Sequence, residues 1–308
     1  MSIQNFFLKK YLRYQYKPRF NEQLDLQQVR IELDSVINTY MPPPCGFLDI
    51  RQEIIGGVSC ECITPKRGRA KGTFFYLHGG MFVMGSPLSH RGVTCVLANE
   101  LNLNVVVPTY RLAPEHPFPA AVDDVWAAYQ GLIAESCHPA PLIVGGDQCG
   151  AGLAMILGLA LRDAGERLPD ALVGVSGFYD LTLTSESMAR NSEADCCCTL
   201  TAFRRGIGYY LSDPALAARP EVSPLFASLD GLPPVLLQVS DTEMLLDDSR
   251  NLARALEKAG GQVCLDVWED VPSCWHIAAV GLPEGRSAIK RIGKFLNNTL
   301  ANSERIAS

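Results

Sequence analysis

Short apolar runs alternate with longer periodic segments along most of this 308-residue chain. The runs are typical of strands buried on both faces, whereas the periodic segments repeat apolar residues every three or four positions, as amphipathic helices do. The runs predict strands at 58–64, 72–77, 104–107, 141–144, 171–175, 235–239 and 263–268, and the periodic segments predict helices at 89–101, 120–134, 150–164, 247–259 and 284–300. This alternation predicts an α/β fold with a mostly parallel central sheet and helices on both faces.

Two segments depart from the alternation. Residues 26–40 have apolar positions at helical spacing and precede a proline run, which predicts an N-terminal helical region packed over the site. Residues 181–224 are polar and weakly periodic, and we interpret them as a helical cap over the carboxyl ends of the strands, where sites form in such sheets. We therefore expect N-terminal cap helices in residues 1–45 and an α/β domain in residues 46–308, with a cap insertion at 181–224.

Composition and charge exclude several classes of protein. A net charge of −6 without a basic run argues against a nucleic-acid partner. The apolar run at Phe6 ends at Lys9, so it is too short for a signal peptide or a membrane span. Eleven cysteines, an odd number without a secretory signal, do not predict a disulfide framework. We expect a cytoplasmic protein without a membrane span, and a homodimer is compatible with the sequence.

The most informative segment lies between the predicted strand 141–144 and the predicted helix 150–164. Its sequence, Gly146-Asp147-Gln148-Cys149-Gly150, has the flanking glycines of a nucleophile elbow. The central residue of such an elbow projects its side chain above the sheet and attacks the substrate. Here that residue is Gln148, and an amide cannot perform the acyl transfer that serine, cysteine or threonine performs.

Further motifs accompany the elbow in a specific order over about residues 72–300. The motifs are His-Gly-Gly-Met-Phe at 78–82, Tyr-Arg-Leu-Ala-Pro-Glu at 110–115, the elbow at 146–151, an acidic segment at 241–248 and Val-Pro-Ser-Cys-Trp-His at 271–276. Together they resemble the hormone-sensitive lipase-like family of α/β-hydrolases, the bacterial carboxylesterases. The resemblance implies an α/β-hydrolase fold with a helical cap and a serine, histidine and acid triad, and it implies no cofactor.

The resemblance also assigns positions to the altered residues. Gln148 occupies the nucleophile position, Ser273 the histidine position and Glu243 the acid position. The oxyanion hole would be formed by backbone N–H groups of Gly79, Gly80 and Cys149, with Met81 where the family has a glycine. Without serine and histidine, at most a roughly 10³- to 10⁴-fold acceleration over water would remain from binding and an oxyanion hole.

The departures from the family pattern gather on what would be one pocket wall. We expect a predominantly apolar pocket that binds a small apolar or ester-like molecule, in which Gln148 bonds to Ser273 or to the oxyanion loop. Such clustering favours remodelling, by design or by selection, over random drift. The residues expected to line or border the pocket are Met81, Gln148, Cys149, Tyr179, Cys196, Cys197, Cys198, Glu243, Ser273, Cys274 and His276.

The sequence leaves several chemistries open. Burial would raise the pKa of Glu243 and suit it to base-promoted chemistry, or Glu243 could be an idle relic. Cys149 could replace the missing nucleophile, and His276 could stand in for the missing base or be structural. A further alternative is a non-catalytic pseudo-hydrolase that only binds a ligand.

The pocket cysteines leave a separate question. They could hold a soft metal, form a Cys149–Cys274 disulfide or simply shape the pocket. The run Cys196-Cys197-Cys198 lacks the spacing of ordinary zinc sites, and we predict no metal.

Overall fold

The computed structural model of the protein describes residues 1–21, 25–40, 45–134 and 141–306. Its centre is one eight-stranded sheet with the strand order β1-β2-β4-β3-β5-β6-β7-β8. The strands are β1 (Leu48–Ile55), β2 (Val58–Pro65), β3 (Thr73–Leu77), β4 (Asn104–Pro108), β5 (Leu142–Asp147), β6 (Ala171–Val175), β7 (Val235–Ser240) and β8 (Val263–Trp268). From β4 to β8 every neighbouring pair is parallel, whereas β2 pairs antiparallel with β1 and β4.

The helices cover both faces of the sheet, as the alternation predicts. One face packs against α3 and α9, and the other packs against α4, α5 and α8. The α-helices are α1 (Ile3–Tyr11), α2 (Leu26–Tyr40), α3 (Pro87–Leu101), α4 (Ala120–Ala134), α5 (Cys149–Ala164), α6 (Glu186–Arg190), α7 (Leu200–Tyr210), α8 (Leu246–Lys258) and α9 (Pro283–Ile306). The α/β-hydrolase fold predicted from the sequence is therefore confirmed. In the described residues no helix is long and apolar enough to cross a membrane.

The edge strand β1 is the element that the apolar pattern does not reveal. Arg51, Gln52 and Glu53 occupy its middle, and all three are exposed. An edge strand with one partner can tolerate polar side chains, because little of its surface is buried. The strand forms because its whole length pairs antiparallel with β2, which follows directly after the two-residue turn Gly56-Gly57.

The two segments that we expect to form the cap lie at the carboxyl ends of the parallel strands. Between β6 and β7 the chain is helical, with α6, α7 and short 3-10 turns at Pro214–Ala218 and Pro224–Phe226. From the N-terminal part, α1 continues into a π-helical turn at Leu12–Tyr16 and a 3-10 turn at Lys17–Asn21. The division into an N-terminal cap and a cap insertion stays a prediction, but both segments lie where they can enclose a site.

Candidate active site

The turn between β5 and α5 has the backbone of a nucleophile elbow. Gln148 adopts φ 46° and ψ −117°, a strained conformation for a residue with a side chain. Glycines permit the close approach on either side, because a Cβ at Gly146 or Gly150 would lie 2.0 or 2.1 Å from the carbonyl oxygen of Leu77. The local sequence therefore builds the elbow without a nucleophile at its apex.

The carboxamide of Gln148 fills the position where an oxyanion hole is expected. Its Oε1 accepts hydrogen bonds from the backbone N–H groups of Gly80 at 3.0 Å and Met81 at 2.9 Å. In a hydrolase such N–H groups stabilise the oxygen that becomes charged during the reaction. The N–H of Gly79, which the sequence assigned to this hole, donates instead to Oδ1 of Asp147 at 3.1 Å. The N–H groups of Gly80 and Met81 are thus already satisfied by the protein itself.

Met81 is accommodated in the oxyanion loop by a compensating glycine in the cap. Met81 has φ 55°, in the left-handed region that favours glycine. Its Cβ lies only 3.0 Å from the point where a Cβ of Gly206 on α7 would be. A side chain at position 206 would therefore require the loop to shift by a few tenths of an ångström, and the cap and the loop pack closely here.

Ser273, at the histidine position, bonds to an aspartate that the sequence analysis did not single out. Its Oγ donates to Oδ2 of Asp195 at 3.0 Å, and the N–H of Met244 donates to the same oxygen at 3.1 Å. The other oxygen, Oδ1, accepts from the N–H groups of Cys197 and Cys198. Asp195 therefore ties the cap to both the acid loop and the histidine loop.

Glu243 is buried behind this contact. Its Oε1 accepts from Ser176 Oγ and from the N–H of Ser240, both at 2.8 Å, while its Oε2 has no hydrogen-bond partner among the described residues. Burial, and then the negative charge of Asp195, raise the pKa of Glu243 to about 8, although the Ser240 N–H and the hydroxyls of Ser176 and Ser273 oppose this shift. The raised pKa favours the protonated form of this carboxyl group at neutral pH.

A cavity of about 100 Å³ lies in front of Gln148. The elbow, the oxyanion loop, the histidine loop and the N-terminal segment converge on it, as parallel strand ends do in such folds. It is lined by Tyr16, Phe20, Leu33, Gly79, Gly80, Met81, Met84, His90, Asp147, Gln148, Cys197, Cys198, Ser273, Cys274 and Ile277.

Five residues expected at the pocket lie outside this lining. Glu243 lies close to Asp195 and Ser273, and Tyr179 folds back so that its ring fills the space beside Gly174 and Gly177. Cys149, Cys196 and His276 are also buried but do not face the cavity. Side chains that follow a pocket residue in sequence can point away from it, and spacing alone does not reveal this.

Comparison with known proteins places this geometry in a family. Residues 74–277 match a family model described as the alpha/beta hydrolase fold. An esterase of Acinetobacter venetianus is 36% identical over 279 residues, which are 90% of this chain and 91% of that relative. The chain belongs to the hormone-sensitive lipase-like family. An acetyl-hydrolase of Streptomyces hygroscopicus is 40% identical over 244 residues, covering 79% of this chain and 80% of that protein.

Solved structures of this family superimpose on nearly the whole chain. An esterase of the bacterial hormone-sensitive lipase family has a TM-score of 0.89 at 35% identity and covers 97% of this chain and 99% of its own. EstE5 soaked with p-nitrophenyl butyrate has a TM-score of 0.90 at 33% identity, covering 98% of this chain and 100% of its own. The family and its fold, inferred from the sequence motifs, are thus confirmed.

Within this hormone-sensitive lipase-like scaffold, Cys149 is a poor substitute for the missing serine. Its Sγ accepts a hydrogen bond from the N–H of Phe82 at 3.3 Å, away from the cavity. Burial raises the pKa of Cys149 to about 12, so the thiol is not ionised at neutral pH. A nucleophilic cysteine needs the thiolate and access to its substrate, and Cys149 has neither.

His276 belongs to a buried polar chain beneath the elbow. The hydroxyl of Tyr76 donates to Asp147 Oδ1 at 2.7 Å and lies 2.9 Å from Nε2 of His276. Burial lowers the pKa of His276 to about 4, so the imidazole is neutral. Because the tyrosine proton is donated to Asp147, the contact fits the tautomer that has its proton on Nε2. Asp147 also lies 3.4 Å from Nε2 of His90, which lines the cavity. This network of buried polar side chains holds the elbow and the oxyanion loop together.

Three thiols face the cavity, and none is activated. Contact with Cys197 and burial raise the pKa of Cys198, and burial raises that of Cys274. Cys149 and Cys274, which the sequence suggested as a disulfide, are both free. Among residues 1–21, 25–40, 45–134 and 141–306, no three His, Cys, Asp or Glu side chains are placed to hold a metal ion. The structure therefore gives the soft-metal interpretation no support.

Proposed function

We propose that the protein is a ligand-binding member of the hormone-sensitive lipase-like family that does not hydrolyse esters through an acyl-enzyme. The observation that carries the proposal is the pair of hydrogen bonds from Gly80 and Met81 to Oε1 of Gln148. The side chain at the nucleophile position both lacks a nucleophilic atom and occupies the oxyanion hole. A substrate carbonyl would have to displace this amide before it could be polarised.

The cavity sets the chemical class of the ligand. A volume of about 100 Å³ is smaller than the roughly 150 Å³ of a cavity that binds benzene. Its walls include Phe20, Met81, Met84 and Ile277, so an apolar group of a few heavy atoms fits. A ligand oxygen could compete with Gln148 for the two N–H groups, which favours a short ketone, ester or carboxylic acid over a hydrocarbon.

Base-promoted chemistry through Glu243 has weaker support. The carboxyl group does not line the cavity, and its raised pKa favours the protonated form at neutral pH. Ser273, which lies beside Glu243 and does line the cavity, donates its hydroxyl to Asp195. The thiol alternative is weaker still, because Cys149 is buried and points away from the cavity.

The first test is ester turnover with matched variants. We expect no turnover of p-nitrophenyl butyrate and no labelling by a fluorophosphonate, which reacts with activated serines. We expect both to appear in the double variant Gln148→Ser/Ser273→His, and neither at a comparable level in either single variant, because triad members act as a unit. Ester turnover by the unaltered protein, abolished by Cys149→Ala, would overturn the proposal in favour of a thiol hydrolase.

The second test is binding by thermal shift and calorimetry. We expect 2-pentanone, methyl butyrate or butyric acid to raise the melting temperature in a saturable manner, because a ligand that binds only the folded state stabilises it. Met84→Gln, which places an amide on the cavity wall, should weaken binding more than the matched change Met188→Gln on α6. If none of the three ligands binds and no ester is hydrolysed, the chain is a decayed enzyme and the proposal fails.

A further inference from the structure

The N-terminal helix α1 has two faces of different character. Its inner face fastens it to the domain: Asn5 Nδ2 donates to the carbonyl of Asp270 at 3.0 Å, and Lys9 forms an ion pair with the side chain of Asp270. Ser2, at its N-cap, bonds to Glu284 through Oγ at 2.7 Å. In the π-helical turn that follows, Arg13 donates to the carbonyls of residues 193 and 194. The helix is therefore held in one orientation on the domain.

The outer face of α1 and its turn is apolar and exposed. Ile3, Phe7, Tyr11 and Tyr14 follow one another at intervals of three or four residues and so share one side of the helix. Their exposed fractions are 69%, 61%, 46% and 67%, and the neighbouring Phe6 is 51% exposed. Single exposed apolar residues are ordinary, but a continuous aromatic stripe marks an interaction surface.

The charge of this segment is opposite to that of the whole chain. Residues 1–21 contain five of the 27 Lys and Arg residues and none of the 33 Asp and Glu residues, in a chain of net charge −6. On the outer face itself, Lys10 holds its ammonium group 4.5 Å from the centre of the Phe6 ring and is exposed. Aromatic rings with lysine at their edge are typical of helices that lie in the interface of a membrane.

From this arrangement we propose that the outer face of α1 (Ile3, Phe6, Phe7, Tyr11 and Tyr14, with Lys10) docks on an anionic lipid surface. The aromatic rings enter the boundary between headgroups and acyl chains, and Lys10 contacts lipid phosphates. A second copy of the chain fits this surface less well, because in a symmetric contact residues 1–21 of neither copy would offer an acidic side chain to Lys10. The docking itself does not depend on the proposed function, whereas the delivery of a ligand to the cavity rests on it.

Docking would bring the cavity to the membrane. The same segment continues from α1 to Tyr16 and Phe20, which line the cavity. An apolar ligand dissolved in the bilayer would then enter beside these two residues without crossing water. Small apolar molecules partition into lipid, so the surface concentrates the class of molecule that the cavity can hold.

The test is a vesicle co-sedimentation assay with the full chain. We expect the protein to bind phosphatidylcholine vesicles that contain phosphatidylglycerol, and to bind pure phosphatidylcholine more weakly. Phe6→Ser/Phe7→Ser should lower the partition coefficient at least about tenfold. The matched control Ile54→Ser/Phe226→Ser removes two residues of similar exposure, 67% and 45%, from other parts of the surface and should leave binding unchanged within about twofold.

A variant that removes only the charge of the exposed Lys10 tests the inference without a loss of apolar side chains. Lys10→Gln should weaken binding to the anionic vesicles about fivefold and leave binding to neutral vesicles unchanged. Three results would overturn the inference: no binding of the unaltered protein to anionic vesicles, an equal loss in both double variants, or no effect of Lys10→Gln on anionic vesicles. A dimer that Phe6→Ser/Phe7→Ser dissociates, without vesicle binding, would assign the surface to a second copy instead.

Discussion

The substitution Glu243→Gln tests whether the buried acid is protonated in the folded protein. An amide has nearly the same shape as a protonated carboxyl group. Its Oε1 can keep the bonds from Ser176 and Ser240, and its Nε2 takes the place of the oxygen that lacks a partner. The negative charge of Asp195, which already acts on Glu243, would attract the new N–H donor. The variant should therefore fold without a new unsatisfied group.

The magnitude follows from the raised pKa. Glu243 titrates at about 8 in the folded protein against an ordinary value of 4.5, so the unfolded chain loses its proton first as the pH rises. Below pH 4.5 both states are protonated and the group adds no pH dependence. Between pH 4.5 and pH 8 the protonated Glu243 makes the free energy of unfolding fall by about 1.4 kcal/mol per pH unit, and above pH 8 it falls no further on account of this group. Glu243→Gln removes this loss.

The assay is urea unfolding of both proteins between pH 5 and pH 9. The free energy of unfolding of the variant minus that of the unaltered protein should increase by about 4 kcal/mol from pH 5 to pH 9. Burial also raises the pKa of Asp248 to about 7, but that group is present in both proteins and cancels in the comparison. Glu257→Gln, at an exposed position of α8, is the control and should follow the unaltered profile. Parallel profiles for Glu243→Gln and the unaltered protein would show that Glu243 is ionised when folded, and the objection to base chemistry would fall.

Two further substitutions test the elbow and the polar chain beneath it. Gln148→Gly should be more stable than Gln148→Ala by about 1 kcal/mol in urea unfolding, because only glycine relieves the positive φ at the apex; equal stabilities would mean that the elbow is not strained there. Tyr76→Phe removes the hydroxyl between Asp147 and His276 and should cost about 1.5–3 kcal/mol by the same measurement, and a neutral result would show that the bond to the buried carboxylate is weak.

Much of the fold and the elbow could be predicted because local sequence determines them. The glycines at 146 and 150 permit an approach that any side chain would block, so the strand, turn and helix follow from the sequence around Gln148. The parallel strands are buried on both faces and therefore appear as continuous apolar runs. The edge strand β1 has no such apolar run, because its middle is polar and exposed. Its stability comes from antiparallel pairing with β2.

The details of the site could not be predicted in the same way, because they depend on contacts between distant segments. Asp195 lies in the segment that the sequence predicted only to be part of the cap. It bonds to Ser273, which is 78 residues further along the chain. The direction of each side chain is also set by its neighbours. Tyr179 turns into the space left by two glycines, and Glu243 is buried without facing the cavity. Spacing identifies which loops meet, but it does not show which atoms face the space between them.

The altered residues of the site complement one another. The amide oxygen of Gln148 satisfies two backbone donors, the hydroxyl of Ser273 satisfies Asp195, and Met81 fits the space left by Gly206. The three altered side chains are thus each accommodated by a partner elsewhere in the fold, while a cavity remains in front of Gln148. This combination of bonded walls and an open space supports the proposed binding function. Retention of a well-packed pocket without a nucleophile is what a binding function requires.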